Sequence, residues 1–420
     1  MAHKSFIVTV LLAILLTCIV PRGYAQILSS DAEITLLTAS PGDELYSVFG
    51  HSALRVNDPV LGIDWVYNYG TFDFNTPNFY LKFARGQMFY KLTVVPTEYF
   101  LAEYRYDGRA IFEQVLNLTQ EQKQQIFDFV QINRLPENAY YHYDFFYDNC
   151  ATRIRDLVDE IIAPQWFEYP AVLPEALAEI RSLLDYEFTY MPDTKAGRTL
   201  RELLQPFIAP IPWSAFGIDL ALGLPADKIA TAWEFQYLPD EMLIAFAQAL
   251  HNDGTPLVAE HRVLLTQTYE TSSPSFLSPL LVFWILFLVA LLSFLHPRFS
   301  RIFDLTFFSI LGITGWVVII LWFLTDHPTT KGNIVLLWAL PTHLYYIWKT
   351  RSAMAGGAAK LYFRLVTALS FLLLVLWVFI PQGFNAAFFP IILTAFIKAL
   401  PMGIHIPALE AYYARKREDQ

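Results

Sequence analysis

The sequence predicts an α+β domain on the outer side of a membrane, followed by an all-α bundle of five transmembrane helices. Three observations lead to this fold class: an N-terminal export signal, short strand and helix patterns up to about residue 270, and long apolar segments after it. We therefore expect a signal peptide over residues 1–25, an extracytoplasmic domain over 26–272 and a membrane domain over 273–420.

The N-terminus has the three parts of a secretory signal peptide. Lys4 supplies positive charge, residues 6–20 form an apolar run too short to span a bilayer comfortably, and small residues of the GYA sequence end at Ala25. We predict cleavage after Ala25. A lipoprotein signal ending at Cys18 is the alternative, but Thr17 is larger than the glycine or alanine that usually precedes a lipidated cysteine.

Composition suits a membrane protein and argues against nucleic acid as a partner. Hydrophobic residues make up 55% of the chain and charged residues 16%, a balance typical of a chain partly buried in lipid. The formal net charge is -10, and most of the excess acidic residues precede residue 270. An acidic outer domain gives no basis for binding nucleic acid.

Strands and helices are predicted in separate regions of the extracytoplasmic domain. Short strands are expected at 34–37, 51–56, 65–69 and 89–94. Thr119 and Gln122 form the pattern of a capping box before a helix over residues 120–133. Further helices are expected at 151–162, 174–187, 196–206 and 239–251. Residues 252–274 are interpreted as a linker into the membrane.

Five apolar segments predict the membrane helices. They cover residues 277–295, 305–325, 334–348, 365–380 and 388–406. Because the preceding domain is exported, the first helix runs inward. The loops after the first and third helices and the tail after the fifth then carry the basic residues on the inner side, as the positive-inside rule requires. We expect a multi-pass protein of the inner membrane with a cytoplasmic C-terminus.

The functional interpretation depends on Cys150. Once the signal peptide is removed it is the only cysteine, so it cannot form an internal disulfide, although export places it in an oxidising compartment. In the sequence YDFFYDNCATR, Asp148 or Asn149 is a suitable cap for a helix that begins near Cys150. The positive end of a helix dipole favours the thiolate, and backbone N–H groups at that end can hold a developing oxyanion.

His51 in the sequence FGHSALRV is the expected general base for this thiol. It begins a predicted strand after Gly50, which allows close approach of the backbone. The next predicted strand offers Asn68, with Asp64 as the alternative, to orient the imidazole. Alone, a histidine at a strand start or a single cysteine is more often structural. Their combination in one exported domain favours catalysis.

The sequence gives no pattern for a metal or nucleotide cofactor. One cysteine and scattered histidines lack the spacing of metal ligands, and no glycine-rich phosphate loop is present. We therefore expect a protein that works without a cofactor.

A second polar group lies in the membrane domain, between the second and third predicted helices. Its members are Asp326, His327, Thr329, Thr330, Lys331 and Asn333, to which the topology adds Gln382 and Asn385 on the same side. Any one of these residues is more often a solvated helix end, but the group is suited to binding a lipid headgroup or to completing the site. We expect substrate contacts from His327 and Asn333, and from Arg55 and Arg153 in the two motifs.

The two motifs resemble the circularly permuted papain-like fold of NlpC-type peptidases and lecithin:retinol acyltransferase-like enzymes. More closely, the chain is similar to the Lnb family of bacterial lipoprotein N-acyltransferases. The matching stretches are FGHSALRV, YNYGTFDF, NFYLKFARGQMFY, YDFFYDNCATRIRD, FGIDLALGLPADK, TDHPTTKGNIVLLWALP and PQGFN.

This resemblance implies a permuted papain-like (NlpC-like) thiol domain with a helical extension, joined to a five-helix transmembrane bundle. Cys150 would be the nucleophile and His51 the base, while Asn68 as the third member follows from strand order in the wider fold. The implied reaction moves an acyl chain from a membrane phospholipid to diacylated lipoproteins.

Two other functions stay open on the sequence alone. A membrane-anchored cysteine peptidase or amidase acting on cell-wall peptides would share the nucleophile and the base, although a single anchor helix would be enough for it. A non-catalytic envelope scaffold would need neither residue.

Overall fold

The structure is a computed structural model that describes residues 26–72, 76–78, 81–82, 85–166, 197–268, 277–349 and 357–404. The predicted signal peptide and the helix predicted at 174–187 lie outside the described residues. The described chain forms an antiparallel sheet with packed helices, followed by a helical C-terminal part with several apolar helices. This mixed α/β architecture agrees with the predicted order of the two parts.

Seven strands form one antiparallel sheet in the described N-terminal part. They are β1 (Glu33–Ala39), β2 (His51–Asp58), β3 (Ile63–Thr71), β4 (Phe89–Pro96), β5 (Ile111–Leu116), β6 (Tyr140–His142) and β7 (Val258–Leu265). Their order across the sheet is β6-β4-β3-β2-β1-β5-β7, which places β2 at the centre. Strands β1 to β4 contain the four predicted strands, and each extends beyond its predicted bounds.

The C-terminal edge of the sheet corrects the linker prediction for residues 252–274. Residues of β7 pair with β5 instead of leading directly to the membrane. Glu260 and Arg262 lie inside this strand and mask its alternation, because charged side chains are typical of an exposed edge. Arg262 binds Glu33 of β1 at 2.8 Å, which ties the edge strand to the sheet.

Seven helices are described in this first part of the chain. They are α1 (Thr97–Tyr106), α2 (Gln120–Asn133), α3 (Cys150–Ile162), α4 (Leu200–Ile208), α5 (Pro212–Ala221), α6 (Ala232–Phe235) and α7 (Pro239–Gln248). Helix α2 has the predicted bounds, and its predicted capping box is formed. Helix α1, which the sequence did not indicate, covers one sheet face with Phe100 and Tyr104. The opposite face packs against α2, α3 and α7.

Each of the five apolar segments predicted as membrane helices contains or overlaps a helix within the described residues, but these helices differ in length. Its described helices are α8 (Pro279–Ser293), α9 (Pro297–Phe323), α10 (His343–Lys349), α11 (Gly357–Val375) and α12 (Phe388–Gly403). Among described residues, α9 and α11 are long and apolar enough to cross a bilayer, while α8 and α12 are apolar but shorter. The third predicted segment is a 3-10 turn, Ile334–Leu337, followed by Pro341 and the short α10, since proline lacks the N–H a continuous helix needs.

Candidate active site

A tight backbone turn fixes His51 at the start of the central strand. Gly50 has a φ of 79°, and a Cβ at this position would lie 2.9 Å from the carbonyl oxygen of Ala39 in β1. Any other residue would be strained here and would collide with backbone, so glycine is required. His51 follows directly and pairs with Ala39 in the sheet.

The His51 ring is oriented by Asn68 on the neighbouring strand β3. The distance between His51 Nε2 and Asn68 Oδ1 is 2.6 Å. With the amide oxygen facing the ring, Nε2 carries the hydrogen and donates it, so Nδ1 is the nitrogen available to a second partner. Asp64, the alternative orienting residue, binds Arg55 and Thr97 instead.

Asn149, rather than Asp148, caps the helix that begins at Cys150. Its Oδ1 accepts from the N–H groups of Ala151 and Thr152, each at 2.9 Å, and the Thr152 hydroxyl accepts from the Asn149 N–H to complete a capping box. The amide nitrogen of Asn149 donates to the carbonyl of Tyr237, 2.8 Å away. Asn149 is only 3% exposed, so this cap holds Cys150 in one place.

The Cys150 and His51 side chains form a hydrogen-bonded pair in which each favours the charged form of the other. Burial opposes a charged thiolate, yet the His51 imidazole holds the pKa of Cys150 below its ordinary value of 9.0. Backbone N–H groups of Ser52 and Ala151 add to this effect. Burial likewise opposes a charged imidazole, but the thiolate and the Asn68 side chain raise the pKa of His51 above 6.5. The site therefore favours a thiolate–imidazolium pair.

The first turn of α3 offers one backbone donor to a substrate. The N–H groups of Ala151 and Thr152 already donate to Asn149, and that of Arg153 donates to the Asn149 carbonyl. Within the described chain, the Cys150 N–H is therefore the donor of this turn that is left for an oxyanion.

A small space above Gly70 adjoins the thiol. A Cβ placed on Gly70 would lie 3.5 Å from the Cys150 Cβ, 3.8 Å from Cε1 of His51 and 3.9 Å from the Tyr141 hydroxyl oxygen. The sequence reasoning assigned no role to Gly70 or Tyr141. A glycine near the end of a strand was the available signal, because such residues often mark a bulge or a close approach.

Both arginines predicted to bind substrate are held by carboxylates. Arg153 makes two hydrogen bonds to Asp148, at 2.6 and 2.8 Å. Arg55 binds Asp64 and Glu113, each at 2.7 Å, and lies four residues along β2 from His51, about 13 Å in an extended strand. The structure does not bring Arg55 to the thiol. Arg153 lies closer, because its guanidinium packs on the ring of Tyr141, whose hydroxyl is near Gly70.

His327 lies beside the segment that leads to Cys150. Its ring is 3.3 Å from the Cβ position of Gly86, and the adjacent Asp326 N–H donates to the Arg85 carbonyl at 2.9 Å. Burial raises the pKa of Asp144, and backbone N–H bonds and the nearby His327 reduce that rise. The loop of the membrane part thus touches the sheet domain close to the start of α3.

Asn333 is engaged by protein partners rather than directed toward the thiol. It is 2% exposed, and its Nδ2 donates to the carbonyls of Leu220 and Ala221 at 2.9 and 3.2 Å. Its Oδ1 accepts from Gln382 at 3.0 Å and from the Val335 N–H. Because these partners saturate the amide, the predicted contact of Asn333 with a headgroup would have to displace one of them.

Neighbouring polar residues complete this connection between the two parts of the chain. Asn385 donates to Asp219 and the Gly383 N–H donates to Asp227, each at 2.9 Å, while the buried Arg201 pairs with both aspartates. We call this group the domain joint; its members are Arg201, Asp219, Asp227, Asn333, Gln382 and Asn385. The joint connects helices α4 and α5 of the first part of the chain to the loops between the apolar helices.

Two family models match the chain. The model described as the Lnb N-terminal periplasmic domain matches residues 22–183, and the model described as the Lnb transmembrane domain matches residues 271–406. No curated protein and no solved structure matches the chain. The first matched range contains Cys150, His51 and Asn68, and the second contains the membrane side of the domain joint.

Proposed function

This chain belongs to the Lnb family, with a periplasmic N-terminal domain and a transmembrane domain, and on that premise we propose that it is a lipoprotein N-acyltransferase. It moves an acyl chain from a membrane phospholipid, through a thioester on Cys150, to the α-amino group of a lipoprotein's N-terminal cysteine. The observation that carries this proposal is the hydrogen-bonded arrangement of Cys150, His51 and Asn68 in the periplasmic domain.

In the first step, the Cys150 thiolate attacks the carbonyl carbon of a phospholipid ester. An S–C bond forms and the carbonyl oxygen becomes an oxyanion, toward which the Cys150 N–H is available to donate. The C–O bond to the glycerol then breaks, and His51 Nδ1 gives its proton to the departing lyso-lipid oxygen. Cys150 is left as a thioester and His51 as a neutral imidazole.

In the second step, the amine of a diacylated lipoprotein attacks the thioester carbon. His51, now neutral, accepts a proton from this nitrogen, and the C–S bond breaks. An amide is formed, and the thiolate–imidazolium pair is restored. Asn68 keeps the ring oriented in both steps by accepting from Nε2.

The attachment to the membrane suits two substrates whose acyl chains stay in the bilayer. Phe216 and Leu220 of α5 pack in the apolar cluster of the membrane part, with the Phe216 ring 5.3 Å from that of Phe388. The domain joint then fixes the thiol domain at the surface. Holding both lipid substrates beside one thiol raises their effective concentration.

We further propose the fold and topology that accompany this activity. The histidine strand precedes the cysteine helix, and both meet at one end of an antiparallel sheet, which supports a permuted papain-like domain over residues 26–272. Residues 273–420 form the multi-pass part in the inner membrane, with the C-terminus in the cytoplasm, as the basic inner loops require.

The test is acyl transfer by the purified full chain in phospholipid vesicles, with a diacylglyceryl-cysteine peptide as acceptor. We expect a peptide heavier by one acyl chain at its amine, no product with Cys150→Ala, and a roughly 10²- to 10⁴-fold slower reaction with His51→Ala. His142→Ala is the matched control, because this ring is exposed, packs on Phe89, and lies on the opposite face of β6 from the buried Tyr141. Cleavage of a cell-wall peptide without acyl transfer would assign the site to a peptidase instead.

A further inference from the structure

Tyr141 presents a buried hydroxyl that has no hydrogen-bond partner within the described residues. The residue is only 6% exposed and lies on β6, where it pairs with Tyr90 of β4. A buried hydroxyl without a partner has lost its hydrogen bonds to water and gained none in return, which is unfavourable. Such a group therefore needs an explanation, and a ligand that completes its hydrogen bond is a direct one.

The Tyr141 ring is held by two neighbours, with its hydroxyl close to Gly70. The Arg153 guanidinium stacks 3.8 Å from the ring centre, and the Tyr69 ring contacts it edge-on at 6.2 Å. The hydroxyl oxygen lies 3.9 Å from the Cβ position of Gly70, the same point that is 3.5 Å from the Cys150 Cβ. The Cys150 side chain and the Tyr141 hydroxyl thus both adjoin the small space that the missing Gly70 side chain leaves.

We propose that Tyr141 is a second oxyanion donor, whose hydroxyl binds the substrate carbonyl oxygen when that oxygen enters the space above Gly70. This inference rests on the proposed thiol-dependent acyl transfer. In the tetrahedral intermediates of both steps, the oxygen accepts from the Tyr141 hydroxyl on one side and from the Cys150 N–H on the other.

The protonation state of Tyr141 suits a donor. Burial, followed by the nearby thiolate, raises the pKa of Tyr141 well above its ordinary value of 10.0, so the phenol keeps its hydrogen. The hydroxyl forms its missing hydrogen bond only when the carbonyl oxygen is in place, and an oxyanion accepts more strongly than a neutral carbonyl does. A donor that gains most in the transition state lowers the barrier rather than only tightening binding.

Arg153, which was predicted to bind substrate, positions Tyr141 instead. Arg153 is anchored by Asp148 and covers the face of the Tyr141 ring, so its cation restrains the phenol. The contact between the Arg153 guanidinium and the Tyr141 ring thus helps to set the direction of the Tyr141 hydroxyl.

The experiment compares Tyr141→Phe with wild type in the full chain, using the rate of thioester formation on Cys150 from phospholipid. Phenylalanine keeps the ring between Arg153 and Tyr69 and removes only the hydroxyl. We expect a roughly 10²- to 10³-fold slower acylation, as for loss of one oxyanion donor, with an unchanged rate of Cys150 alkylation by iodoacetamide. Alkylation needs the thiolate but forms no oxyanion.

Tyr69→Phe is the matched control, since its hydroxyl donates to Asn133 at 3.1 Å, away from the thiol. This variant should acylate at the wild-type rate. Equal acylation by Tyr141→Phe and wild type would overturn the inference, and so would a parallel loss of alkylation, which would assign the hydroxyl to thiol ionisation. If wild type itself forms no thioester, the proposed function fails first, which separates the two outcomes.

Discussion

At the scale of single residues, three side chains from distant parts of the sequence meet because each one sits at the end of a secondary-structure element. His51 starts β2, Asn68 lies near the end of β3, and Cys150 opens α3. Local signals identify such positions: a glycine before a strand, an asparagine before a helix. The sequence therefore pointed to the three residues that the structure brings together, and their catalytic roles are our proposal.

Tyr141 shows where residue-level prediction stopped. Its significance lies in the direction of one hydroxyl, and this direction is set by the pairing of β6 with β4 and by the Arg153 guanidinium. Neither contact has a local sequence pattern. Arg55 was predicted from its motif to contact substrate, but in the structure its guanidinium pairs with Asp64 and Glu113 in the sheet.

The pH dependence of Cys150 alkylation tests the ion pair. Because His51 lowers the pKa of the thiol below 9.0, alkylation by iodoacetamide should rise to its plateau at lower pH than for an ordinary cysteine. Replacing His51 by alanine removes the main favourable charge and should move the midpoint upward. An unshifted midpoint in His51→Ala would contradict the pairing, and His142→Ala should behave as wild type.

The pH dependence of acyl transfer follows from the same two groups. Activity should rise with pH as Cys150 ionises, and fall as His51 loses the proton that it gives to the leaving lyso-lipid. Since the pKa of His51 is raised above 6.5, the falling limb should lie above that pH. A rate that only increases with pH would argue against His51 as the acid.

Asn68 is expected to act through the orientation of His51. Asn68→Ala removes the acceptor of the Nε2 hydrogen and should slow acyl transfer roughly 10- to 100-fold, the effect seen when residues that orient metal-binding histidines are replaced. Asn68→Asp keeps an acceptor oxygen and should be affected less. Rates equal to wild type in Asn68→Ala would remove this residue from the mechanism.

At the scale of elements, helix α3 carries the thiol on its first residue, and the Asn149 cap fixes the position of that residue. Asn149 satisfies two N–H groups of the first turn and also holds the carbonyl of Tyr237. Cap patterns are local, which is why the bounds of α2 and α3 were predicted closely. The edge strand β7 depends instead on its pairing with β5, and there the sequence pattern misled. The interruption at Pro341 was a local signal, which the prediction of a continuous third helix overlooked.

Asn149→Ala should therefore lower both stability and reactivity. The loss of the cap alone is worth about 1 kcal/mol, and the unpaired Tyr237 carbonyl adds to it. We expect a lower unfolding temperature for the full chain in detergent and slower alkylation of Cys150. Thr119→Ala, at the exposed cap of α2, should lower stability without changing the alkylation rate.

At the scale of the whole molecule, the domain joint connects the first part of the chain, which carries Cys150, to the transmembrane domain. Much of it consists of side-chain amides bound to backbone carbonyls around α5, such as Gln382 to Leu222 at 3.0 Å. No sequence pattern predicts such a contact. Asn333, Gln382 and Asn385 were therefore predicted to belong to a headgroup site in the outer loops. In the structure, Asn333, Gln382 and Asn385 instead bind other parts of the chain and connect its two parts.

Gln382→Ala tests this coupling. The change leaves the part-buried Ile334 N–H without its acceptor, which is unfavourable by about 1–3 kcal/mol, and removes one of two donors to the Leu222 carbonyl, which keeps the Arg201 guanidinium. We expect a lower unfolding temperature and slower acyl transfer in vesicles, while iodoacetamide, a soluble reagent, alkylates Cys150 at the normal rate. Gln87→Ala removes an exposed contact to Asp326 and should change neither property.

The central claim is that the Cys150 sulfur carries the acyl chain between donor and acceptor. Its most direct test is the mass of the Cys150 peptide from protein incubated with phospholipid and no lipoprotein. We predict an increase of one acyl chain on Cys150 that disappears with hydroxylamine and on addition of a diacylated lipopeptide. A Cys150 peptide of unchanged mass, from protein that nevertheless acylates lipopeptide, would contradict the account.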